Sequence, residues 1–109
     1  MNRSRLRERY LEDEWPRQMG NLASTLTRLS SRALDSRFDH IVADLLREGA
    51  LLMEWSAPCV PPELAAEIAE MQRELVLWHQ AWPSDTVRSL LAFRARRMAG
   101  LLLESAGFV

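Results

Sequence analysis

Residues 62–82 read PELAAEIAEMQRELVLWHQAW, and this stretch decides the fold class. Its large apolar side chains recur at alternating intervals of four and three positions, which is the spacing of one face of an α-helix. Pro62 suits the first turn of such a helix, where a missing N–H costs little, and Pro83 ends the pattern. The stretch therefore predicts an amphipathic helix packed against other helices. The predicted seam consists of Leu64, Ile68, Met71, Leu75, Trp78 and Trp82.

The same helical period continues on both sides of this stretch. It predicts four helices over 14–33, 36–56, 62–82 and 85–106, and no segment alternates apolar and polar residues as a half-buried strand would. The sequence thus predicts an all-α chain, folded as an antiparallel four-helix bundle in a single domain over 1–109. The predicted core stripes include Ile41, Val42 and Leu45 in the second of these helices and Leu90, Leu91 and Leu101 in the last.

Local signals refine the helix ends and one contact. Ser36 is the predicted N-cap of the helix over 36–56. Gly49 lies inside the core stripe of that helix, where glycine weakens a helix, so we expect another helix to approach its backbone closely. The proline-rich segment 57–62 is predicted to be a stiff, non-helical connection.

A short additional helical segment is predicted over 1–12. Its arginines lie at the positive end of the helix dipole and its acidic residues at the negative end, which is unfavourable for an isolated helix. The acidic residues suit the start of the following helix instead, with Asp13 as its cap and Pro16 in its first turn. We therefore expect a break near residue 13. A continuous helix kinked at Pro16 is the alternative.

Length and charge restrict the classes of function. A chain of 109 residues forms one core, and its net charge of −1 gives no overall attraction to nucleic acid, although residues 1–9 carry four arginines and one glutamate. Acidic residues are interleaved with the other arginines, so the sequence does not favour nucleic-acid binding. No apolar run approaches the ~20 residues of a membrane-spanning helix. A cytoplasmic protein is the expectation.

The sequence contains few cysteine and histidine residues that could hold a cofactor or a metal ion. The single cysteine, Cys59, excludes an internal disulfide. The two histidines, His40 and His79, belong to no recognised metal-binding spacing. The sequence predicts no cofactor and no metal ion.

Several large apolar residues lie outside the predicted core stripes. Leu51 and Trp55 are an i, i+4 pair turned away from the core direction of their helix, and Leu77 and Phe93 are off-stripe on the next two helices. Such residues indicate a contact surface for another chain. The alternatives are that they are singly exposed or that the N-terminal segment covers some of them. We therefore predict a non-catalytic interaction module. It is expected to bind a second copy of itself, as a homodimer, and also a further protein.

Arg94 is the opposite case, because it lies inside an apolar stripe between Leu91 and Met98. Its stem can cross the core edge and leave the guanidinium in water. Otherwise it pairs with a carboxylate across the bundle, since an unpaired buried arginine is too costly.

One motif suggests a different class of function. Arg73 and His79 have the spacing of the Arg and His in the HEPN ribonucleases, which the segment resembles and which are small helical bundles that dimerise. The resemblance implies that these side chains would stabilise and protonate RNA phosphate chemistry. They lie about 120° apart on one helix, so a partner chain would have to complete the site. An RNA-cleaving or RNA-binding module is therefore the alternative function.

Three further segments carry a second resemblance. In GNLASTL over 20–26, EWSAP over 54–58 and WHQAW over 78–82, the chain resembles a family of small all-helical cyanobacterial proteins without an assigned function. The resemblance implies a cyanobacterial cytoplasm. It also makes the surroundings of Trp55 and Trp82 candidates for the family's function.

The helical period makes a direct prediction for spectroscopy. Because every apolar repeat of useful length is near 3.6 residues, circular dichroism is expected to show a predominantly helical chain. A strand content above about a fifth, the ordinary share in soluble proteins, would contradict the all-α assignment.

Overall fold

The computed structural model describes residues 3–108. Within that range the chain is helical and contains no strand, which confirms the predicted all-α class. Met1, Asn2 and Val109, which belong to the predicted 1–12 segment and 1–109 domain, lie outside the described residues. The helices are α1 (Arg3–Glu12), α2 (Trp15–Ala33), α3 (Asp39–Ser56), α4 (Pro62–Ala81) and α5 (Arg88–Ser105).

The break near residue 13 is present, so the continuous kinked helix is wrong. Glu14 precedes α2 in an extended conformation, and Pro16 lies in the first turn as predicted. Asp13 does not cap α2, however. The side-chain amide of Gln18 instead donates to the backbone carbonyls of Asp13 and Tyr10, at 3.1 and 3.2 Å. These bonds hold the end of α1 against the start of α2.

Each of the other three connections contains a single turn of 3₁₀ helix, over Ser36–Phe38, Ala57–Cys59 and Asp85–Val87. The predicted Ser36 cap is wrong, because the Asp35 carboxylate accepts the N–H of Arg37 at 3.0 Å and α3 begins only at Asp39. The segment after α3 is also not wholly non-helical, since Pro58 lies in the first turn of a 3₁₀ helix that needs no N–H there.

α2 lies at the centre of the packing, with α3 on one side and α5 on the other, and α4 packs mainly on α3. α5 approaches α2 closely because its contact face is built from small side chains, and the Ser30 hydroxyl donates to the Ala92 carbonyl at 2.7 Å. The alanines of that face are Ala92, Ala95 and Ala99, all buried. α4 and α5, although joined directly by residues 82–87, scarcely touch.

Gly49 is the point at which α3 is enclosed by its two neighbours. A Cβ atom at this position would lie 3.0 Å from Cδ1 of Leu75 in α4 and 3.9 Å from Cδ2 of Leu26 in α2. Leu26 and Leu75 are both fully buried. The expected close approach at Gly49 is therefore present, and α3 forms the middle of a layer between α2 and α4.

Some predicted core positions are wrong. Ile41 is 44% exposed, whereas Leu46, which the predicted stripe omits, is fully buried. The reason is that α2 and α4 contact α3 from two sides, so the buried face of α3 is rotated relative to the predicted stripe. Leu90 and Leu101 are also exposed, and Leu90 lies on the side where α4 and α5 scarcely meet. Trp78 and Trp82 are only half-buried against the core.

Arg88 joins the ends of four helices. Its guanidinium donates to both carboxylate oxygens of Asp39 at 2.7 and 3.1 Å, and to Asp85 and the Ala33 carbonyl at 2.7 and 3.3 Å. It also lies 5.0 Å from the ring centroid of Trp82. Hydrogen bonding to Arg88 holds the pKa of Asp39 below its usual value.

The Gly49 contact predicts a coupling between two substitutions. Leu75→Ala is expected to lower the free energy of unfolding by about 2–5 kcal/mol, because it leaves a cavity in the core. Gly49→Ala gains about 1 kcal/mol of helix propensity but crowds Leu75. It should therefore be more favourable by about 1 kcal/mol or more in the Leu75→Ala background than in the native chain. Urea unfolding of the four proteins measures this coupling, and strictly additive effects would contradict the packing described.

Candidate functional site

An open groove runs between α4 and α5. Its volume is about 370 Å³, and its lining is Glu74, Leu77, Trp78, Ala81, Leu90 and Arg94. The leucines are conspicuously exposed, Leu77 at 64% and Leu90 at 51%. Phe93, at 56%, and Leu101 are exposed on the same helix as Leu90. The groove therefore presents apolar side chains on both walls, which is the character of a protein contact surface.

A charged pair spans the groove. Arg94 donates to both carboxylate oxygens of Glu74, at 2.9 and 2.7 Å, and the Trp78 indole N–H donates to the same carboxylate at 3.2 Å. Hydrogen bonding to Arg94 lowers the pKa of Glu74, so Glu74 is ionised at neutral pH. The Arg94 side chain is 41% exposed. Arg94 thus pairs with a carboxylate on the neighbouring helix while its head still reaches water, which combines both sequence-based alternatives.

The charged pair explains why the groove stays open. In a closed bundle, Glu74 and Arg94 would be replaced by apolar side chains that interdigitate. Here two long polar side chains meet end to end, and their hydration is retained on one side. The pair links α4 to α5 without bringing the two helices into direct packing.

The groove positions share a pattern that sequence reasoning missed. The groove positions Glu74, Leu77 and Ala81 of α4 belong to one series at intervals of 4, 3 and 4, and Leu90 and Arg94 of α5 belong to a second series with the same intervals. We call these the outer seam of α4 and the outer seam of α5. The signal was available as a second helical stripe beside each core stripe. The outer seam of α4 is Glu70, Glu74, Leu77 and Ala81, and that of α5 is Leu90, Arg94, Arg97 and Leu101.

The structure does not bring the four predicted contact residues together. Leu77 lines the α4–α5 groove, and Phe93 is exposed on α5. Leu51 is half-buried in a separate groove between α3 and α4, of about 210 Å³, together with Val76 and His79. Trp55 is half-buried against Tyr10 of α1, with ring centroids 6.2 Å apart. Leu51 and Leu77 therefore line different grooves, and α1 packs on Trp55.

Tyr10 fixes α1 in this position. It is 5% exposed, and its hydroxyl donates to the Gln18 carbonyl at 3.1 Å while the Gln18 side chain donates back to the Tyr10 carbonyl. Burial raises the pKa of Tyr10 to about 12, because the phenolate loses its hydration. The alternative that the N-terminal segment covers an off-stripe residue is thus realised at Trp55.

The residues of the proposed ribonuclease motif are apart within one chain. Arg73 is exposed on the outer side of α4, whereas His79 is half-buried in the groove between α3 and α4. Over residues 3–108, no group of three or more His, Cys, Asp or Glu residues is placed to hold a metal ion. In the same range no helix is long and apolar enough to cross a membrane.

No family model, curated protein or solved structure matches the chain. The resemblances drawn from short segments therefore stay predictions.

Tyr10 can be titrated without interference from other side chains, which permits a direct test of α1 docking. Tyr10 is the only tyrosine and the chain contains no lysine, so Tyr10 is the side chain that titrates between pH 10 and 12. The unfolded chain ionises near pH 10 and the folded chain near 12, so the folded state binds the proton more tightly. Its stability changes little below pH 10 and should fall by roughly 2 kcal/mol by pH 12.

The measurement is urea unfolding across this range, combined with tyrosinate absorbance of the folded protein. Tyr10→Phe is the control, because it lacks the ionisable group and should show no such decline. An absorbance midpoint near pH 10 in the folded protein would show that Tyr10 is accessible to solvent and that α1 is not docked as described.

Proposed function

We propose that the chain is a non-catalytic protein-interaction module that self-associates through the face formed by α4 and α5. The observation that carries the proposal is the open apolar groove between these helices, with Leu77 and Leu90 more than half exposed on its two walls. The proposal invokes no cofactor and no catalytic residue.

A second copy suits this face for a reason of symmetry. In a two-fold dimer the same patch is buried on each copy, so every apolar residue of the patch contributes twice. The net charge of −1 gives little repulsion between two copies. The Glu74–Arg94 pair is already formed within each chain, so its burial would leave no charge without a partner.

The proposal also accounts for the predicted architecture. The sequence predicts an antiparallel four-helix bundle, and such a bundle closes when its first and last neighbours also pack. We propose that the α4–α5 side is the unclosed side of this bundle and that the second copy supplies the missing apolar layer. A further protein partner would compete for the same face.

Analytical ultracentrifugation tests the proposal. The native chain is expected to form a dimer at micromolar concentration. Leu77→Asp and Leu90→Asp should each raise the dimer dissociation constant by at least about 30-fold, because a charge at a buried central contact costs upward of ~2 kcal/mol. Both variants should keep the native circular dichroism, since both leucines are exposed within one chain.

Three control variants locate the contact. Leu34→Asp changes a leucine that is also mostly exposed, at 59%, but lies at the end of α2, and it should leave the dimer intact. Leu51→Asp and Trp55→Ala, at the positions predicted from sequence, should affect association less than Leu77→Asp. A native chain that is monomeric at every accessible concentration would refute self-association. Equal effects of Leu34→Asp and Leu77→Asp would refute the α4–α5 face.

A further inference from the structure

We infer that two copies pair face to face about a two-fold axis that runs parallel to α4 and α5, so that α4 of each copy lies over α5 of the other. This inference rests on the proposed self-association and specifies its geometry. It is carried by the charge and apolar pattern of the two outer seams.

The two outer seams are complementary in the order in which they run. α4 and α5 are joined by residues 82–87 and line one groove, so they run in opposite directions. Glu74 lies opposite Arg94, as their hydrogen bonds show. One step toward the connecting loop brings Leu77 level with Leu90, and one step away from it brings Glu70 level with Arg97. At each level an acidic or apolar residue of α4 therefore meets a basic or apolar residue of α5.

At the last of these levels, Arg97 lies 5.9 Å from the ring centroid of Phe93 but does not pair with Glu70 of its own chain. Glu70 and Arg97 are both exposed, and neither belongs to an ion pair among residues 3–108. Rotation about a two-fold axis parallel to the helices leaves each residue at the same height along the groove. It places α4 of one copy opposite α5 of the other. Glu70 of one copy then faces Arg97 of the other, and Leu77 faces Leu90.

The other face-to-face arrangement is unfavourable. A two-fold axis perpendicular to the helices lays α4 on the partner's α4 and α5 on the partner's α5. The second contact sets a basic seam against itself and brings Arg94 close to Arg97 of the partner subunit. Like charges in this position repel and suppress the wrong pairing, whereas unlike charges at the edge of an apolar contact fix its orientation. The charges thus select the parallel axis.

Single cysteines distinguish the two arrangements. In a Cys59→Ser background, Leu77→Cys and Leu90→Cys each provide one thiol per chain, and a short bismaleimide then joins only thiols from different chains. A mixture of the two variants is expected to give a covalent dimer, while either variant alone gives little. A Leu34→Cys variant mixed with either one is the control and should remain uncoupled.

The same samples are sedimented before cross-linking, so two kinds of failure are separated. Covalent dimer from Leu77→Cys alone would overturn the parallel axis and indicate that α4 contacts α4. A sedimenting dimer that cross-links in none of the mixtures would also overturn the inference, while self-association would stand. Monomers throughout would refute the proposed function itself.

Charge reversal gives a second readout. Glu70→Arg alone should weaken the dimer by about five- to tenfold, because it places two arginines together in both of the symmetry-related Glu70–Arg97 contacts. The double variant with Glu70→Arg and Arg97→Glu should recover most of this loss, since the pair is restored with its signs exchanged. A double variant no tighter than Glu70→Arg alone would overturn the pairing.

Discussion

The close approach of α5 to α2 is the constraint on which the rest of the structure depends. The face of α5 that meets α2 is built from Ala92, Ala95 and Ala99, and the Ser30 hydroxyl bonds directly to the Ala92 backbone. Helices approach this closely only when the side chains between them are small. Because α5 is drawn onto α2, its bulkier residues Leu90 and Phe93 are left on other sides of the helix. The groove beside α4 follows from this arrangement.

Two arginines of α5 act in opposite ways on the helices around them. Arg88, at the start of α5, is 12% exposed and gathers the ends of α2, α3 and α4 through Asp39, the Ala33 carbonyl and Trp82. Arg94 lies less than two turns further along and is far more exposed, and it meets α4 only through Glu74. The first arginine closes the end of the structure. The second keeps its side open.

Features that depend on residue spacing within one helix could be predicted from the sequence. Features that depend on the position of a neighbouring helix could not. The seam from Leu64 to Leu75 and the special position of Gly49 follow from spacing alone, and the structure agrees. Ile41 and Leu90 fit the same spacing but are exposed, because burial also depends on where the next helix lies.

For the candidate site, Leu77 and Phe93 could be recognised as off-stripe residues. The covering of Trp55 could not, since no periodicity states where α1 docks, and neither could the partner of Arg94.

The attachment of α1 has a consequence for how the chain comes apart. α1 carries one buried side chain, Tyr10, which packs on Trp55 and exchanges hydrogen bonds with Gln18. The core formed by α2 to α5 contains residues that are almost completely buried, such as Leu26, Leu75 and Leu91. We therefore expect α1 to open as a local unit at a lower free energy than helices α2 to α5, which carry most of the buried side chains. Amide hydrogens of α1 are then expected to exchange faster than those of α2, because the N-terminal helix can detach and return while the core persists.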